Sequence, residues 1–586
     1  MSGARISSRP SIAWWVLAAA AVAALVVPGS LEGLAPEPTA EHLRLGAWSL
    51  KGALVLFGIG VVVVDRLTSW FDARHPAQAT LTAPWDGVER VALAALLIVA
   101  LALRLVHLDG GLWIDEISTL LTYVRRPMLE TFVVYDSQNQ HPLYTLMAQG
   151  SIALFGDTPS ALRLPAVLLG VASVAAFYRL ARRVVSREEA LLGAALLTCS
   201  MHHVWFSQNA RGYTGLLALS LVATEALLRL VRREGSVRQL AWVYALSMGL
   251  ATWVHLTGAL IAVGHAVILL LLLVAPGLVG APATPGTGRG DATRDVVVPG
   301  LAAIGLSALV SILLYSPVLP QLPDAILNAP PTVPVAEGAA PASIVWKNPL
   351  WFVTELMARL AAGVPGGMVA VVLALVVLAA GVLSLLKAQR LLLALMIMPM
   401  VSTIGVMMAT KHNLWPRFFF FAAGFAVLLA MRGGFALVGW GASAVRREAM
   451  PLARRVAIAG ASAVVVASAF TVPRAWGPKQ DFTAAADFLR QRSVPGDAVV
   501  TLGVTNEPIR HYLGVAADSL ERVEELQQVE AAHARTWVVV TFPVLFEARQ
   551  ADVAEWLRGR YDTAAVFPGS VGGGAIVVLV RDKSRA

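Results

Sequence analysis

Blocks of 17 to 23 apolar residues alternate with short polar segments along most of the chain. Each block has about the 20 residues that a helix needs to cross a bilayer with its backbone hydrogen bonds satisfied internally. The hydrophobic pattern therefore predicts about thirteen membrane-spanning helices. Their predicted positions are residues 11–28, 46–64, 89–106, 161–181, 189–206, 212–230, 239–255, 257–275, 297–316, 366–386, 390–409, 418–440 and 455–472.

Basic residues cluster in alternate loops between the predicted spans. If the N-terminus lies in the cytoplasm, the basic loops lie there too, at Arg66 to Arg74, Arg179 to Arg187, Arg229 to Arg238, Arg289 to Arg294, Lys387 to Arg390 and Arg446 to Arg455. This satisfies the positive-inside rule, and an odd number of spans leaves the C-terminus outside. The first block is assigned to a span because no clean signal-peptidase site follows it. The chain is thus predicted to be a multi-pass protein of the cytoplasmic (inner) membrane.

Two of the predicted outer segments are long loops within the membrane region, at residues 107–160 and 317–365. The first contains an apolar run from Leu143 to Phe155 that is too short to cross a bilayer and suits an interfacial helix. The second is rich in proline and alanine from Pro317 to Leu350, which predicts a mobile loop without stable elements. A second interfacial helix is expected from Trp351 to Ala362.

Charge density rises and apolar blocks shorten after the last span, which predicts a small extracytoplasmic α/β domain. Its predicted elements are helices at 482–492 and 551–560 and strands at 498–502, 537–542 and 575–580. The predicted fold class is therefore a mainly α, polytopic membrane protein with a C-terminal α/β domain. The expected domains are two additional N-terminal helices (1–88), a transmembrane catalytic core (89–476) and the α/β domain (477–586).

The composition excludes a soluble protein. Of the 586 residues, 57% are hydrophobic and 14% are charged, whereas a soluble domain carries about 25% charged residues. The single cysteine, Cys199, excludes an intramolecular disulfide framework and any CxxC site. The net charge of +9 arises from loop residues that set membrane orientation, so nucleic acid is not an expected partner.

Ionisable residues gather at the predicted outer ends of the spans. Asp115 and Glu116 lie in an apolar context, LWIDEIS, that favours a proton-accepting carboxylate, although acidic residues are also common at helix N-termini. Lys411 and Arg417 lie in the outer loop KHNLWPR, where positive-inside bias should deplete them. Such a basic loop favours an anionic ligand such as phosphate, with snorkelling membrane anchors as the alternative.

Asp115 and Glu116 belong to the first of four motifs that follow one another along the chain. The motifs are LWIDE, then HPLY, then Ala161-Leu162-Arg163-Leu164-Pro165, then VWFSQNARGYTGLLAL. The set resembles the GT-C glycosyltransferases, particularly the bacterial relatives of protein O-mannosyltransferase and of the aminoarabinose transferase that modifies lipid A. The resemblance covers residues 89 to 430. It implies an inverting transferase that moves a sugar from a polyprenyl-phosphate donor to an envelope acceptor, which is a lipid, a polysaccharide or a protein.

The resemblance also implies roles for individual residues. Asp115 is expected to be the general base with Glu116 in support, and Arg211 with Tyr213 matches the aromatic RxY element of the family. The expected site residues are Asp115 and Glu116 for catalysis, Arg211, Tyr213, Lys411, Arg417 and His141 for the donor phosphate, and Tyr144 and Arg163 for positioning the substrate.

The chain departs from the family pattern beside His141. The aminoarabinose enzymes carry an acidic residue and a lysine where this chain has Gln140 and His141, so a metal contact at Gln140 is not expected. His255 at a span end is the remaining candidate metal ligand, and no cofactor is otherwise assigned.

A lipid or solute transporter and a non-catalytic envelope scaffold are the alternative functions. A transporter predicts ionisable groups near the bilayer midplane, where this chain offers mainly His265 and Glu225, the latter expected to pair with Arg229 one turn later. The identities of the sugar and the acceptor do not follow from these motifs.

Overall fold

The computed structural model describes residues 11–35, 38–74, 84–280, 289–326, 349–363, 366–445 and 450–585. Helices dominate up to residue 469. They are α1 (Ile12–Val26), α2 (Ala40–Arg74), α3 (Gly87–Leu105), α4 (Ile114–Ser118), α5 (Glu130–Val133), α6 (Pro142–Phe155), α7 (Pro159–Ala181), α8 (Arg187–Thr198), α9 (Met201–Ser207), α10 (Tyr213–Val231), α11 (Val237–Val254), α12 (Thr257–Val274), α13 (Pro276–Val279), α14 (Arg289–Tyr315), α15 (Leu322–Ile326), α16 (Pro349–Gly363), α17 (Gly367–Ala388), α18 (Arg390–Ala409), α19 (Ala423–Val445) and α20 (Met450–Ala469).

A helix lies at each of the thirteen predicted span positions. Within the described ranges, nine helices are long and apolar enough to cross a membrane, or up to ten if the bent pair α8 and α9 forms one span. The helices α1, α3 and α11 are not among the nine, and α1 has only 15 residues. The polytopic helical architecture is confirmed, and the total of thirteen spans stays a prediction.

The predicted span 189–206 is not one straight helix. Its two halves, α8 and α9, meet at an angle of 58°. Ser200 is the N-cap at which α9 begins as a separate helix. Its backbone is extended, and its hydroxyl accepts a hydrogen bond from the His203 amide at 3.4 Å. The span predicted to begin at Phe418 likewise starts with a 3₁₀ segment, Pro416–Ala422, before α19.

Helix α10 forms the centre of the bundle. Nearly all of its side chains are buried, and it packs against α7 and α11. The N-terminal helices α1 and α2 pack on each other and, through Val61 and Val62, on Ala245 of α11 and Leu306 of α14. The two additional helices thus lie on one flank of the bundle.

Ion pairs join helices at the end of the bundle opposite Asp115. Glu225 of α10 pairs with Arg179, in the last turn of α7, at 3.2 Å and with Arg183, just after that helix, at 2.7 Å. The expected pair with Arg229 was therefore wrong: the Arg229 guanidinium instead donates to the Glu234 carbonyl oxygen at 3.2 Å.

A five-stranded sheet forms the C-terminal α/β domain, in the order β2-β1-β3-β5-β4. The strand β1 pairs in parallel with β2 and β3, whereas β5 pairs antiparallel with β3 and β4. The elements are α21 (Phe482–Arg492), β1 (Ala498–Leu502), β2 (Asp518–Leu520), α22 (Val523–Ala532), β3 (Arg535–Thr541), α23 (Pro543–Arg549), α24 (Ala551–Leu557), β4 (Asp562–Phe567) and β5 (Ile576–Asp582). This confirms the predicted domain class, although β2, β4, α22 and α23 had not been predicted.

The two outer segments partly follow the predictions. Helix α6 covers the apolar run from Leu143 to Phe155, and α16 covers the second expected helix, while their position at the membrane interface stays a prediction. Short helical turns occupy Ser316–Gln321 and α15, where the sequence had predicted no stable element. The rest of the predicted mobile loop, residues 327–348, lies outside the described residues, as do residues 281–288.

We expect Gly433→Ala to destabilise the bundle, because α17 and α19 approach each other too closely at this point for a larger residue. A Cβ at Gly433 would lie 1.8 Å from the Val377 carbonyl oxygen, whereas a Cβ at the neighbouring Gly434 would meet nothing within 4 Å. Overpacking costs about 1–3 kcal/mol, so Gly433→Ala should lower the thermal unfolding temperature in detergent. Gly434→Ala is the matched control, and equal melting temperatures for the two variants would contradict this packing.

Candidate active site

Asp115 lies in the first turn of α4, in the loop that follows α3. Its side chain is 19% exposed, and its Oδ2 accepts a hydrogen bond from Arg417 Nη1 at 3.2 Å. The two residues are separated by 302 positions in the chain. The structure therefore brings together the predicted general base and one of the predicted phosphate-binding residues.

Glu116 has a different environment from its neighbour. It is fully buried, and its two oxygens accept hydrogen bonds from Arg163 Nε at 2.8 Å and Nη2 at 2.6 Å. The Ala210 amide also donates to Oε1 at 2.9 Å. Burial opposes ionisation of Glu116, but the Arg163 guanidinium outweighs it, so the pKa of this carboxyl is lowered. Glu116 is a saturated structural anion, which corrects its predicted place beside Asp115 in catalysis.

Arg163, predicted to position the substrate, instead holds the loop that carries Asp115. Its Nη1 donates to the Leu108 and Gly110 carbonyl oxygens at 2.9 and 2.7 Å, and its Nη2 donates to the Gly111 carbonyl oxygen at 2.9 Å. With the two bonds to Glu116, all five donors of the guanidinium are used. No donor remains for a substrate, so this prediction was wrong.

Tyr144 is also part of the protein interior. It is fully buried in α6, and its hydroxyl donates to the Leu162 carbonyl oxygen at 2.7 Å. A buried tyrosine with a satisfied hydroxyl packs two elements together and offers nothing to a ligand. The prediction that Tyr144 positions the substrate is corrected accordingly.

Arg211 contrasts with Arg163 because most of its donors are unused. It is 2% exposed, yet Nε and Nη1 have no hydrogen-bond partner among the described residues, and Nη2 donates to Asn139 Oδ1. The buried Tyr213 hydroxyl, His141 Nε2 and Arg417 Nε are likewise unpartnered within those ranges. We call Arg211, Tyr213, His141 and Arg417 the basic cluster.

Ring contacts show that the basic cluster is one site. The His141 ring centroid lies 5.7 Å from that of Tyr213 and 4.8 Å from that of His255. The His255 centroid in turn lies 5.6 Å from that of Phe418, the residue after Arg417. Buried polar atoms without partners each cost about 1–3 kcal/mol, so their concentration here indicates a place that a polar ligand completes.

A backbone contact determines which ring nitrogen of His141 carries the proton. His141 Nδ1 lies 2.8 Å from the Val254 carbonyl oxygen, which can only accept, so Nδ1 is protonated and Nε2 offers a lone pair. Burial lowers the pKa of His141 well below its usual range, and the Arg211 charge adds to this effect. His141 is therefore neutral at neutral pH while the site holds no ligand.

His255, the candidate metal ligand, does not fit that role. Its Nδ1 accepts the Thr257 amide at 3.3 Å, so its Nε2 carries the proton rather than a lone pair. Among the residues the structure describes, no group of three or more His, Cys, Asp or Glu side chains could hold a metal ion. Gln140 donates through Nε2 to the Val134 carbonyl oxygen at 3.0 Å. The part of the chain that the structure describes thus contains no metal-ligand set, and no chemical step is assigned to a metal.

Lys411 differs from the other predicted phosphate-binding residues because its side chain is exposed. Its side chain is exposed and makes no hydrogen bond or ion pair with the residues described, and its backbone has a positive φ of 54°. The Arg417 guanidinium, by contrast, lies over the Trp415 ring at 5.2 Å and the Phe418 ring at 5.8 Å. These aromatic faces hold Arg417 beside Asp115.

Three residues at the site were not predicted from the sequence. Asn139 anchors Arg211, while Lys479 and Gln480, after α20, bond to the loops that carry the basic cluster and Asp115. The Lys479 Nζ donates to the Gln208 carbonyl oxygen at 2.6 Å, and burial lowers the pKa of Lys479 to about 7. No local sequence pattern marks any of the three.

Residues 139–279 match a family model described as dolichyl-phosphate-mannose-protein mannosyltransferase. The matched region includes His141, Arg211 and Tyr213 but neither Asp115 nor Arg417. The match confirms the predicted resemblance and the predicted class of enzyme, a membrane glycosyltransferase that uses a lipid-linked sugar. No curated protein matches the chain.

Two solved structures are similar to this chain over most of its length. One is ArnT from Cupriavidus metallidurans bound to undecaprenyl phosphate, with 14% identity, a TM-score of 0.46 and coverage of 83% of this chain and 97% of that chain. The other is the archaeal oligosaccharyltransferase AglB from Archaeoglobus fulgidus in complex with an inhibitory peptide and a dolichol-phosphate, with 12% identity, a TM-score of 0.47 and coverage of 83% and 74%. Similarity at this level carries no residue roles over to this chain.

We expect Arg163→Ala to destabilise the protein strongly, because it leaves the buried Glu116 carboxylate unpaired and three backbone carbonyls without donors. Breaking a buried pair from one side costs about 3–5 kcal/mol. Arg522→Ala is the control, because the Arg522 side chain is 75% exposed in its pair with Glu525, and its effect should stay within about 0.5 kcal/mol. Thermal unfolding in detergent compares them, and an unchanged melting temperature for Arg163→Ala would refute the structural role.

Proposed function

We propose that the chain transfers a sugar from a polyprenyl phosphate to a hydroxyl group of an envelope acceptor, with inversion at the anomeric carbon and with Asp115 as general base. The observation that carries the proposal is the contact between Asp115 and the basic cluster. A partly exposed carboxylate and a group of buried, unpartnered donors are what an activated sugar phosphate and an incoming hydroxyl need from a protein.

The basic cluster is suited to the phosphate of the donor. Arg211 and Arg417 together offer three unpartnered guanidinium nitrogens, and the Tyr213 hydroxyl adds a fourth donor. A phosphate oxygen accepts such bonds readily, and charge-assisted bonds are about twice as strong as neutral ones. The binding of a phosphate would therefore satisfy groups that are otherwise buried at a cost.

His141 has a distinct part in this site. Its Nε2 is a hydrogen-bond acceptor in the neutral ring, so it cannot donate to a phosphate oxygen unless it gains a proton. We assign to it a contact with a hydroxyl group of the donor sugar. This contact would place the sugar between the phosphate and Asp115.

Asp115 would deprotonate the acceptor hydroxyl. The acceptor oxygen then forms a bond to the anomeric carbon from the side opposite the phosphate, and the bond between that carbon and the phosphate oxygen breaks. The electron pair of the broken bond stays on the polyprenyl phosphate, where the basic cluster stabilises the added charge. Before substrates bind, Arg417 neutralises Asp115, so the phosphate and the base compete for the same guanidinium.

A lipid-linked donor also suits the position of the site at the ends of the helices. The polyprenyl tail would remain in the bilayer while its phosphate lies at headgroup depth, so the donor need not leave the membrane. With the orientation predicted from the loop charges, this end faces the outside of the cytoplasmic membrane. The acceptor would accordingly be a lipid, a polysaccharide or a protein of the envelope.

We expect Asp115→Asn to abolish sugar transfer while the protein remains folded, because an amide cannot accept the proton of the acceptor hydroxyl. Loss of a general base lowers the rate by about 10²- to 10⁴-fold. The measurement is label transfer from a radiolabelled polyprenyl-phosphate sugar to a crude envelope acceptor by the reconstituted protein. Asp109→Asn is the matched control, since Asp109 is an exposed carboxylate in the same loop. A normal rate for Asp115→Asn would remove Asp115 from the mechanism.

We expect Arg211→Ala to weaken use of the lipid-linked sugar, because it removes two unpartnered guanidinium nitrogens from the phosphate site. Loss of one charge-stabilising group costs about 10²- to 10³-fold in kcat/KM. Arg125→Ala serves as the control, since Arg125 is exposed in its pair with Asp157. The binding of polyprenyl phosphate without a sugar is measured for the same two variants. Equal affinities of Arg211→Ala and Arg125→Ala would mean that the phosphate binds elsewhere.

A further inference from the structure

The segment between α20 and α21 contacts the loop that carries Asp115. Gln480 is fully buried, and its Oε1 accepts a hydrogen bond from the Ile114 amide at 3.2 Å. Ile114 is the first residue of α4 and directly precedes Asp115. The Gln480 side chain therefore fixes the backbone at the start of the turn that presents the carboxylate.

The opposite side of the same Gln480 amide belongs to the C-terminal domain. Its Nε2 donates to Thr541 Oγ1 at 3.1 Å, at the end of β3, and to the Gly574 carbonyl oxygen at 3.2 Å, just before β5. One side chain thus joins the catalytic loop to two strands of the sheet.

Lys479 makes the matching contact to the other half of the site. Its Nζ donates to the Gln208 carbonyl oxygen, three residues before Arg211, and lies over the Trp205 ring at 5.4 Å. Adjacent residues of one short linker therefore hold the loop of the base and the loop of the basic cluster. The linker thus adds to the direct bond between those two loops, in which the Ala210 amide donates to Glu116 at 2.9 Å.

The C-terminal domain also forms hydrogen bonds with the backbone of this linker, the segment between α20 and α21. The Ser570 amide donates to the Pro478 carbonyl oxygen at 3.0 Å, and the Val571 amide donates to that of Lys479 at 3.1 Å. A Cβ at Gly569 would lie only 2.2 Å from the Lys479 carbonyl oxygen. The glycine-rich turn between β4 and β5 can approach the linker this closely because it lacks side chains there.

A second contact surface supports the first. Helix α4 packs against the π-helical turn Glu507–Tyr512 that follows β1. A Cβ at Gly111 would lie 2.8 Å from Thr483 Oγ1 of α21. The catalytic loop is therefore enclosed on one side by the bundle, through Arg163, and on the other side by the C-terminal domain.

We propose that the C-terminal domain is a positioning element of the transferase, and that Gln480, with Lys479, sets the placement of Asp115 relative to the basic cluster. The inference rests on the proposed function for its activity readout. Neither residue touches the substrates; both act through the loops that do. If the Asp115 loop lost its contacts with the C-terminal domain, the basic cluster would still bind the donor phosphate. Asp115 would then be held less accurately behind the anomeric carbon.

The test compares Gln480→Met, which keeps the side-chain size but removes the hydrogen bonds, with Gln480→Glu, which keeps an oxygen acceptor for the Ile114 amide. A base displaced by about 1 Å costs on the order of 10²-fold in rate. We expect Gln480→Met to lower kcat about 10- to 100-fold with an almost unchanged KM for the donor, and Gln480→Glu to retain more of kcat.

Gln550→Met is the matched control. Gln550 also bonds two backbone carbonyls inside the C-terminal domain, those of Leu520 and Glu521, but it does not contact the linker. We expect it to keep the wild-type kcat. An equal loss of kcat in Gln480→Met and Gln550→Met would mean general damage to the domain and would overturn the proposal.

Hydrogen exchange gives a readout that needs no sugar transfer. Amides of residues 112–118 should exchange faster in Gln480→Met than in wild type and Gln550→Met, while those of α6 stay unchanged. If wild-type protein transfers no sugar, the proposed function fails, and exchange alone then decides whether Gln480 positions the loop. Unchanged exchange at residues 112–118 in Gln480→Met overturns the inference.

Discussion

The candidate active site depends on the buried ion pair between Glu116 and Arg163. Moving two charges out of water is costly, and the cost is offset only when every donor and acceptor is satisfied. Here the guanidinium uses all five donors, on Glu116 and on three carbonyl oxygens of residues 108–111. The pair thereby fixes the course of the chain between α3 and α4, and with it the direction in which Asp115 points.

The adjacent residues Asp115 and Glu116 differ in their environment, and burial determines which of the two is available to a ligand. Glu116 is enclosed and saturated, whereas Asp115 is partly exposed and shares one hydrogen bond with Arg417. The arginines differ in the same way: every guanidinium nitrogen of Arg163 has a partner, whereas two nitrogens of Arg211 have none among the described residues. An ionic group that is fully paired supports the structure, and one that is buried but incomplete is available to a ligand.

Much of the fold can be predicted from the sequence because a helix that crosses the bilayer needs a long apolar run. Apolar length and loop charge located the helices, and the strands β1, β3 and β5 were recognisable as runs of β-branched residues. The short or polar elements β2, β4 and α22 carry no such pattern. The bend between α8 and α9 depends on one capping serine, which a hydrophobicity profile does not detect.

The site was predictable in part. The motif residues Asp115, Arg211 and Arg417 lie together, and the contact between Asp115 and Arg417 spans 302 positions that no local pattern connects. Glu116, Arg163 and Tyr144 belong to the same motifs but prove to be interior groups, since a motif does not say which side chains keep unpaired polar atoms. The proton on His255 depends on a backbone amide, and the role of Gln480 depends on how two domains meet.

A cryo-electron microscopy structure of the full chain in lipid nanodiscs with undecaprenyl phosphate would test the assignment of the active site most directly. We expect density for the phosphate within hydrogen-bond distance of Arg211 and Arg417, with the Asp115 carboxylate beside it and Arg163 still paired to Glu116. Phosphate density at another end of the bundle, with the basic cluster empty or filled by protein side chains, would contradict the assignment of this site.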